Sequence, residues 1–187
     1  MIAVDLGQMQ DSTAIIVCHE ENGHLHITYI ERMLGVTYDV QMTRIGQLYE
    51  MHGGPLVCDI SGVGRGVVDM GRAMHLPIIG ISITGGMTAS YDGGTHRVPK
   101  VELINALVLL TQQKRIHVSP DVSPAEARSL REEMLAFSMR VFGNHAAMEA
   151  SAGHSDDLVL ACSLAAWYMP RTRGGIRASS YSRGRVI

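Results

Sequence analysis

The chain has 187 residues, of which 46% are hydrophobic and 18% are charged. This length suits one α/β domain with a single core, and the composition is that of a globular protein. No apolar run reaches the roughly 18 residues that a membrane-spanning helix needs, and the first residues lack the basic start of a signal peptide. We therefore expect a cytoplasmic protein without a membrane partner.

The net charge of −2 hides an uneven distribution of basic residues. After Pro170 the chain carries five arginines and no acid, which leaves 11 bases against 18 acids in the rest. These arginines are Arg171, Arg173, Arg177, Arg183 and Arg185. We expect a domain at residues 1–169 and a disordered basic tail at residues 170–187. The tail could bind a phosphate backbone, or it could only improve solubility.

The first third of the chain predicts a meander of three antiparallel strands. Apolar runs at residues 2–4 and 13–17 flank a turn-rich connection, and residues 24–32 alternate in polarity with a period of two. Apolar positions at helical spacing then predict a helix over residues 38–51. The next apolar run predicts a buried fourth strand that ends at Asp59.

The middle of the chain predicts a helix followed by a further strand. The helix is expected over residues 62–74 and the isoleucine-rich strand over residues 76–83. Residues 85–96 contain four glycines and no sustained apolar period, which indicates a long loop or an exposed hairpin. Residues 98–100 then begin a strong helix, with a proline near its first turn.

A short edge strand is predicted at residues 116–118, and a helix follows it. Ser123 is a typical N-cap, Pro124 suits the first helical position, and Glu126 completes a capping box. This pattern predicts a helix from there to about Phe137.

The last apolar segment, residues 155–169, predicts a helix whose first turn holds Asp156 and Asp157, where acids suit the positive end of the helix dipole. A hairpin is expected before it, near residues 143–144. The order of elements predicts an α/β fold with a mixed β-sheet, whose first three strands are antiparallel and whose later strands are parallel. Helices should cover both faces of this sheet.

The cysteines and histidines give little sign of a metal site. The three cysteines lie far apart in apolar runs without C-x-x-C spacing, so we expect buried thiols at Cys18, Cys58 and Cys162. The nine histidines contain no H-E-x-x-H motif, and His24 and His26 alternate along a strand-like stretch. A structural or surface role is favoured for all of them except His154.

Acids occupy three places where a strand or helix could deliver a carboxylate to one edge of the sheet. Asp5 lies in the first strand, Asp59 ends the fourth, and Asp156 and Asp157 open the last helix. Because ionised carboxylates are costly in apolar stretches unless a metal or a base compensates them, these acids could converge on a metal site. Hard oxygen ligands suit Mg²⁺ or Mn²⁺, and two such ions can promote phosphodiester hydrolysis.

Four parts of the chain together carry a resemblance to a known family. They are residues 3–7 (AVDLG) with 11–14 (DSTA), then 57–64 (VCDISGVG), 98–100 (VPK) and 153–161 (GHSDDLVLA). Their order and spacing resemble the nuclease domain of phage terminase large subunits. The resemblance implies an RNase H-like fold, two divalent ions (Mg²⁺ or Mn²⁺), and an endonuclease that cuts concatemeric viral DNA during genome packaging.

The resemblance also implies roles for individual residues. It makes three acids catalytic metal ligands: Asp5, Asp59 and Asp157. Asp156 is an adjacent candidate ligand, and His154 is either a fourth ligand or a cap at the helix start. Asp11 lies in the turn after the first strand, where a turn-forming or outer role is favoured.

The implied partners are double-stranded DNA and the rest of a packaging machine. Residues 62–66 lack the Lys-Ser/Thr ending of an ATPase phosphate loop, so this chain is not the motor. We expect an isolated nuclease domain. In the full-length protein an ATPase motor domain would accompany it, and the family implies a portal, a small terminase subunit and the host-cell cytoplasm.

Three basic residues could contact DNA near the acids. Lys100, Arg65 and Arg97 could neutralise phosphates, although Arg65 and Arg97 are equally well explained as solvated charges. Because aromatic residues make up only 5% of the chain, we expect contacts to the DNA backbone rather than base stacking.

Three other functions share parts of this pattern. A Holliday-junction-resolvase-like nuclease would use similar acids and prefer four-way junctions. An ATP-binding domain of the actin and sugar-kinase type has comparable turns after Asp5 and Asp59, but such proteins pair two domains of this kind. A non-catalytic DNA-binding or assembly module is disfavoured by acids at all three places.

Overall fold

A computed structural model describes residues 1–7, 10–62, 64–142 and 156–172, with the backbone alone at residues 64–65, 138–142 and 171–172. In chain order the elements are β1 (Ile2–Asp5), β2 (Thr13–Glu21), β3 (His24–Met33), α1 (Tyr38–His52), β4 (Leu56–Asp59), α2 (Gly64–Ala73), β5 (Ile78–Thr84), β6 (Ser90–Asp92), β7 (Thr95–Pro99), α3 (Lys100–Gln112), β8 (Ile116–Val118), α4 (Pro124–Phe142) and α5 (Asp157–Thr172). The strands form one sheet of eight in the order β6-β7-β5-β4-β1-β2-β3-β8.

The first three strands form the predicted antiparallel meander. β1 pairs with β2, and β2 pairs with β3, both antiparallel. Asn22 and Gly23 connect β2 to β3 with φ values of 53° and 84°, the left-handed backbone that a tight hairpin turn requires. On its other side β1 pairs in parallel with β4, and β4 with β5. The predicted mixed sheet is therefore confirmed.

Helices cover both faces of the sheet, as predicted. One face, which we call the α5 face, carries Ala3 and Val57 in a core shared with α3, α4 and α5. The other, which we call the α1 face, carries Val4 and Cys58 in a core shared with α1 and α2. Neighbouring strand residues alternate between these two cores because successive side chains point to opposite faces.

The helix α5 is the most deeply buried helix in the described part of the chain. It lies against β1, β2 and β4, and its side chains from Leu158 to Met169 are all buried or half-buried. Small residues such as Ala161 and Ala165, both fully buried, let the helix approach the sheet closely. No helix among the described residues is long and apolar enough to span a membrane.

The glycine-rich segment forms the exposed hairpin that was one of two expectations for it. β6 and β7 pair antiparallel around Gly93 and Gly94, whose φ values are 54° and 83°. β7 also pairs in parallel with β5, which its mixed polarity did not indicate. Val98 and Pro99 therefore end a strand, and α3 begins only at Lys100.

The capping box of α4 is present as predicted. The Ser123 hydroxyl accepts the N–H of Glu126 at 3.3 Å and donates to Glu126 Oε2 at 2.8 Å. The helix runs to Phe142, five residues beyond the predicted end. The hairpin predicted near residues 143–144 and the arginines beyond residue 172 lie outside the described residues.

The three cysteines are free and buried, as predicted. Burial raises the pKa of Cys18 to about 12, and burial likewise raises the pKa of the Cys58 and Cys162 thiols. They stay protonated at neutral pH and serve as apolar core residues.

Gly7 should be intolerant of any side chain. An added Cβ there would lie 2.3 Å from the Ser12 carbonyl oxygen and 2.4 Å from that of Asp11. Gly7→Ala should therefore lower the free energy of unfolding by about 1–3 kcal/mol or more, as overpacking does. Gly66→Ala is the matched control: nothing lies within 4 Å of its added Cβ, and an alanine suits a helix better than glycine. Urea denaturation measures both, and an unchanged Gly7→Ala midpoint would contradict the close packing of this turn.

Candidate metal and nuclease site

Two of the predicted acids lie side by side at the carboxyl ends of β1 and β4. Asp5 and Asp59 are direct register partners in this parallel pair. Strand alternation puts both side chains on the α5 face, the face of Ala3 and Val57. Each residue is only 9% exposed. The fold therefore holds two carboxylates next to each other in a largely buried position.

The other two acids come from the start of α5. Asp157 is the first residue of this helix, and the Asp156 carbonyl accepts the N–H of Leu160 at 2.9 Å, the first hydrogen bond of the helix. Both side chains are half-buried, and both repel Asp5 electrostatically. Because α5 packs across β1 and β4, its first turn reaches the strand ends. Four carboxylates from three distant parts of the sequence thus surround one edge of the sheet; we call them the acid cluster.

Lys100 supplies a cation to the acid cluster. It is the first residue of α3, and its Nζ lies 3.7 Å from Asp156 Oδ2. Its positive charge also acts on Asp5 and Asp59. With all groups ionised, the four carboxylates and this ammonium together carry a formal charge of −3.

The pKa values of the two strand acids reflect this crowding. Burial is the largest cause that raises the pKa of Asp5 well above its ordinary value, and the charges of Asp59, Asp157 and Asp156 raise it further. Burial also raises the pKa of Asp59, although hydrogen bonds from Ser61 and the charge of Lys100 oppose that rise. The ionised cluster is therefore costly to the fold unless added positive charge compensates it.

Ser61 fixes the orientation of Asp59, and sequence reasoning did not single it out. Its backbone N–H donates to Asp59 Oδ1 at 2.8 Å, and its hydroxyl donates to the same oxygen. The Ser61 Oγ in turn accepts the N–H of Ile83 at 2.6 Å, which ties the turn to β5. The D-x-S spacing after a strand was the available signal, since aspartate commonly bonds to the backbone two residues later.

Gly7 is held just beyond Asp5. Its N–H donates to Thr13 Oγ1 at 2.9 Å, and its carbonyl accepts Gln41 Nε2 at 3.2 Å. Both partners are buried. These bonds fix the exit of β1 and so the position of the acid that ends it.

Glu133 holds the first turn of α5. Its Oε2 accepts the N–H of Leu158 at 3.0 Å, and its other oxygen is ion-paired with Arg32 of β3. Leu158 directly follows Asp157, so this contact fixes the helix start that carries the acid. No sequence signal pointed to Glu133, because its partner lies 25 residues later in the chain.

The carboxylate ligands suit a hard divalent cation, although their side chains do not form a complete coordination sphere. Carboxylate oxygens are the ligands that Mg²⁺ and Mn²⁺ prefer. Among the described residues, no group of three or more His, Cys, Asp or Glu side chains is already placed so as to hold a metal ion. The residues therefore fit such an ion by chemistry and charge, and side-chain movements would have to complete its coordination.

The remaining predicted residues lie away from the acid cluster or outside the described side chains. Arg97 pairs with Ser82 in the sheet, is exposed, and lies on the α1 face, opposite the acids. Asp11 is exposed in the bend before β2. His154 and the side chain of Arg65 lie outside what the structure describes.

Solved structures provide the comparison that decides the fold. The chain matches the large terminase nuclease of thermophilic phage G20c with bound magnesium, at 24% identity and a TM-score of 0.64, over 88% of this chain and 78% of that one. The chain has the fold of a large terminase nuclease domain. This confirms the predicted RNase H-like architecture.

Two other terminases share this fold. The human cytomegalovirus terminase nuclease domain, soaked with manganese, matches at 12% identity and a TM-score of 0.53, over 89% of this chain and 81% of that one. The large terminase of a second thermophilic bacteriophage, solved in complex with ADP, matches at 13% identity and a TM-score of 0.60, over 93% of this chain but only 39% of that one. No protein-family model and no curated protein sequence matches the chain.

Replacing Asp5 with asparagine should stabilise the chain in buffer that contains a chelator. The pKa of Asp5 is raised in the folded state, so its effect on stability turns unfavourable as pH rises from the ordinary value of 3.8 through the folded pKa. The gain in Tm should therefore be absent below pH of about 4 and present at pH 7, where each 1 kcal/mol gives roughly 2–4 °C. Thermal unfolding followed by circular dichroism measures this difference.

The control for this variant is Asp69→Asn. Asp69 is exposed, and its partner is Arg72 at 3.4 Å on the surface of α2. Its replacement should change Tm little at either pH. A lower Tm for Asp5→Asn at pH 7 would contradict the repulsion described here.

Proposed function

We propose that this chain is a metal-dependent DNA endonuclease, the nuclease domain of a viral DNA-packaging terminase large subunit that cuts concatemeric DNA. One observation carries the proposal: four carboxylates from β1, β4 and α5 gather at one sheet edge with the Lys100 ammonium beside them. The fold shared with terminase nucleases supports the same conclusion. The magnesium and manganese named for those two proteins support a divalent ion here.

Asp5, Asp59 and Asp157 are the proposed catalytic metal ligands, with Asp156 as an adjacent ligand. When bound, two ions of Mg²⁺ or Mn²⁺ would activate water and stabilise the leaving oxygen of a phosphodiester. The chain's own part is to hold the carboxylates in place: Ser61 orients Asp59, and Glu133 anchors the helix start beside Asp157. His154 stays a candidate further ligand.

Lys100 is proposed to balance charge within the acid cluster, and a contact to DNA phosphate remains its second role. Its distance to Asp156 and its attraction to both strand acids favour the balancing role. Arg97 lies on the α1 face, in a polar cleft that Arg72 also lines. It could contact DNA that extends from the acid cluster around the end of the sheet to this face. Arg65 and the arginines after Pro170 stay predicted phosphate contacts.

A larger assembly is part of the proposal. The chain spans 39% of the large terminase that was solved in complex with ADP. We infer that an ATPase motor domain accompanies this nuclease in the full-length protein, and that the portal and a small terminase subunit are its partners in the host-cell cytoplasm.

Asp59→Asn should reduce plasmid nicking in Mg²⁺ or Mn²⁺ at least about a hundredfold, because a neutral amide replaces a metal-binding carboxylate. The amide keeps an oxygen that can accept both Ser61 hydrogen bonds, so the fold should survive. Conversion of supercoiled plasmid to nicked and linear forms, with circular dichroism as a folding check, measures the effect.

Glu50→Gln, which changes an exposed acid on α1 outside the acid cluster and outside the Arg97 cleft, should cut plasmid at the unchanged rate. Calcium or chelator in place of Mg²⁺ should abolish cutting by the unchanged chain, and four-way junctions should be cut no faster than linear duplex. Full nicking activity of Asp59→Asn, or nicking by the unchanged chain in chelator, would contradict the metal-dependent mechanism.

Lys100→Met and Arg97→Gln should separate charge balance from DNA contact. Without its ammonium the acid cluster is more repulsive, so Lys100→Met should lower Tm in chelator by several degrees, and Mn²⁺ should restore it. Arg97→Gln should leave Tm unchanged and weaken duplex binding in Ca²⁺, measured by fluorescence anisotropy. An unchanged Tm for Lys100→Met would refute the balancing role.

A further inference from the structure

Four histidines gather on the sheet surface far from the acid cluster. His19, His26 and His117 are register partners across β2, β3 and β8, so they form one row across three strands. His24 lies two residues before His26 and therefore on the same face. Their neighbours Cys18 and Leu25 are buried in the core of the α5 face, so the histidines lie on the α1 face, where all four are exposed or half-exposed.

The rings of this row are ordered against one another. His19 and His26 stack at 5.1 Å between centroids, and His26 and His117 stack at 4.8 Å. His24 and His117 meet edge to edge instead: Nδ1 of His24 lies 2.7 Å from Nε2 of His117, with the rings 22° from parallel. One proton between two imidazole nitrogens accounts for this contact, since each neutral ring has one donor and one acceptor nitrogen.

We propose that His24 and His117 form a two-imidazole clamp for a divalent transition-metal ion such as Zn²⁺, Ni²⁺ or Cu²⁺. Imidazole nitrogen is a preferred ligand of these ions. With metal–nitrogen bonds of about 2.0–2.1 Å, two nitrogens on a tetrahedral ion lie roughly 3.3 Å apart. The observed 2.7 Å needs to open by less than about 1 Å, and small adjustments of the exposed His117 on the edge strand β8 and of the half-buried His24 on β3 can provide this.

When the ion binds, the proton between the two nitrogens moves through water to the other nitrogen of the donor ring, so both rings stay neutral and both lone pairs face the ion. The clamp supplies these two protein ligands and leaves the other positions to water. This agrees with the lack of a preformed three-residue cage among the described residues. The ring of His26 stacks on His117 and limits its rotation, so His26 positions the clamp. Nδ1 and Nε2 already point at one another, which lowers the entropy cost of placing both on one ion.

This site is separate from the acid cluster in position and in chemistry. Asp5 pairs with Ala14, and His19 lies five residues further along β2, roughly 17 Å away at the usual rise of a strand. Mg²⁺ prefers carboxylate and water oxygens, so it would not compete for imidazoles. An ion held there would join β8, a strand of three residues, to β3 across 93 positions of sequence.

Calorimetric titration of the full chain with Ni²⁺ in excess Mg²⁺ tests the clamp. We expect one Ni²⁺ per chain, an affinity at least about tenfold weaker in His24→Gln and in His117→Gln, and no binding in the double variant. At about a hundredfold excess over Kd the ion should raise Tm by roughly 5–10 °C. Binding that persists in the double variant would overturn the proposal.

Two controls separate this site from others. His75→Asn removes an exposed histidine outside the row, and asparagine suits its positive φ of 57°. Asp59→Asn changes the acid cluster. Neither should alter Ni²⁺ affinity; if Asp59→Asn abolished it, the ion would belong to the acid cluster.

Electron paramagnetic resonance of Cu²⁺ bound to the unchanged chain tests the clamp without any substitution. Splitting from two imidazole nitrogens is the expected signature. A spectrum with oxygen ligands alone, or with one nitrogen, would overturn the clamp even if the glutamine variants failed to fold.

Discussion

The repulsion between carboxylates packed at one edge of the sheet is the constraint on which the rest depends. Asp5 and Asp59 occupy neighbouring positions on parallel strands, and both are nearly buried. Nothing in a stable core favours this arrangement, since burial and mutual repulsion both raise the pKa of Asp5. The fold nevertheless holds Asp59 through Ser61 and the start of α5 through Glu133, and Lys100 offsets part of the charge. Groups kept where they reduce stability are typical of a functional site.

Local patterns predicted those parts of the fold that local chemistry determines. The period-two alternation of β3 and the Ser123 capping box were both readable because each depends on residues a few positions apart. The place of β7 beside β5 was not, because its five residues have mixed burial and its pairing is decided by the sheet as a whole. The predicted end of α4 was five residues too early, although Met139, Val141 and Phe142 continue the apolar residues beyond Phe137.

The candidate site, like the fold, was only partly predictable from the sequence. The apolar runs before them placed Asp5 in the first strand and Asp59 at the end of the fourth, and the motif order added the start of α5. That β1 and β4 pair side by side, which brings the two acids together, was not predicted. Lys100 was expected to contact DNA, and only the packing of α3 against α5 places its ammonium beside Asp156. Arg97 was grouped with it, yet strand alternation puts Arg97 on the α1 face, whereas Lys100 lies beside Asp156 at the acid cluster. Charge alone does not reveal which side of a sheet a residue faces.

Anomalous scattering from a crystal of the chain soaked in Mn²⁺ tests the metal site at the acid cluster directly. We expect manganese peaks at the ends of β1 and β4, bound by the carboxylates of Asp5, Asp59 and Asp157 at about 2.0–2.3 Å. Manganese found only elsewhere, with these side chains still apart, would contradict it.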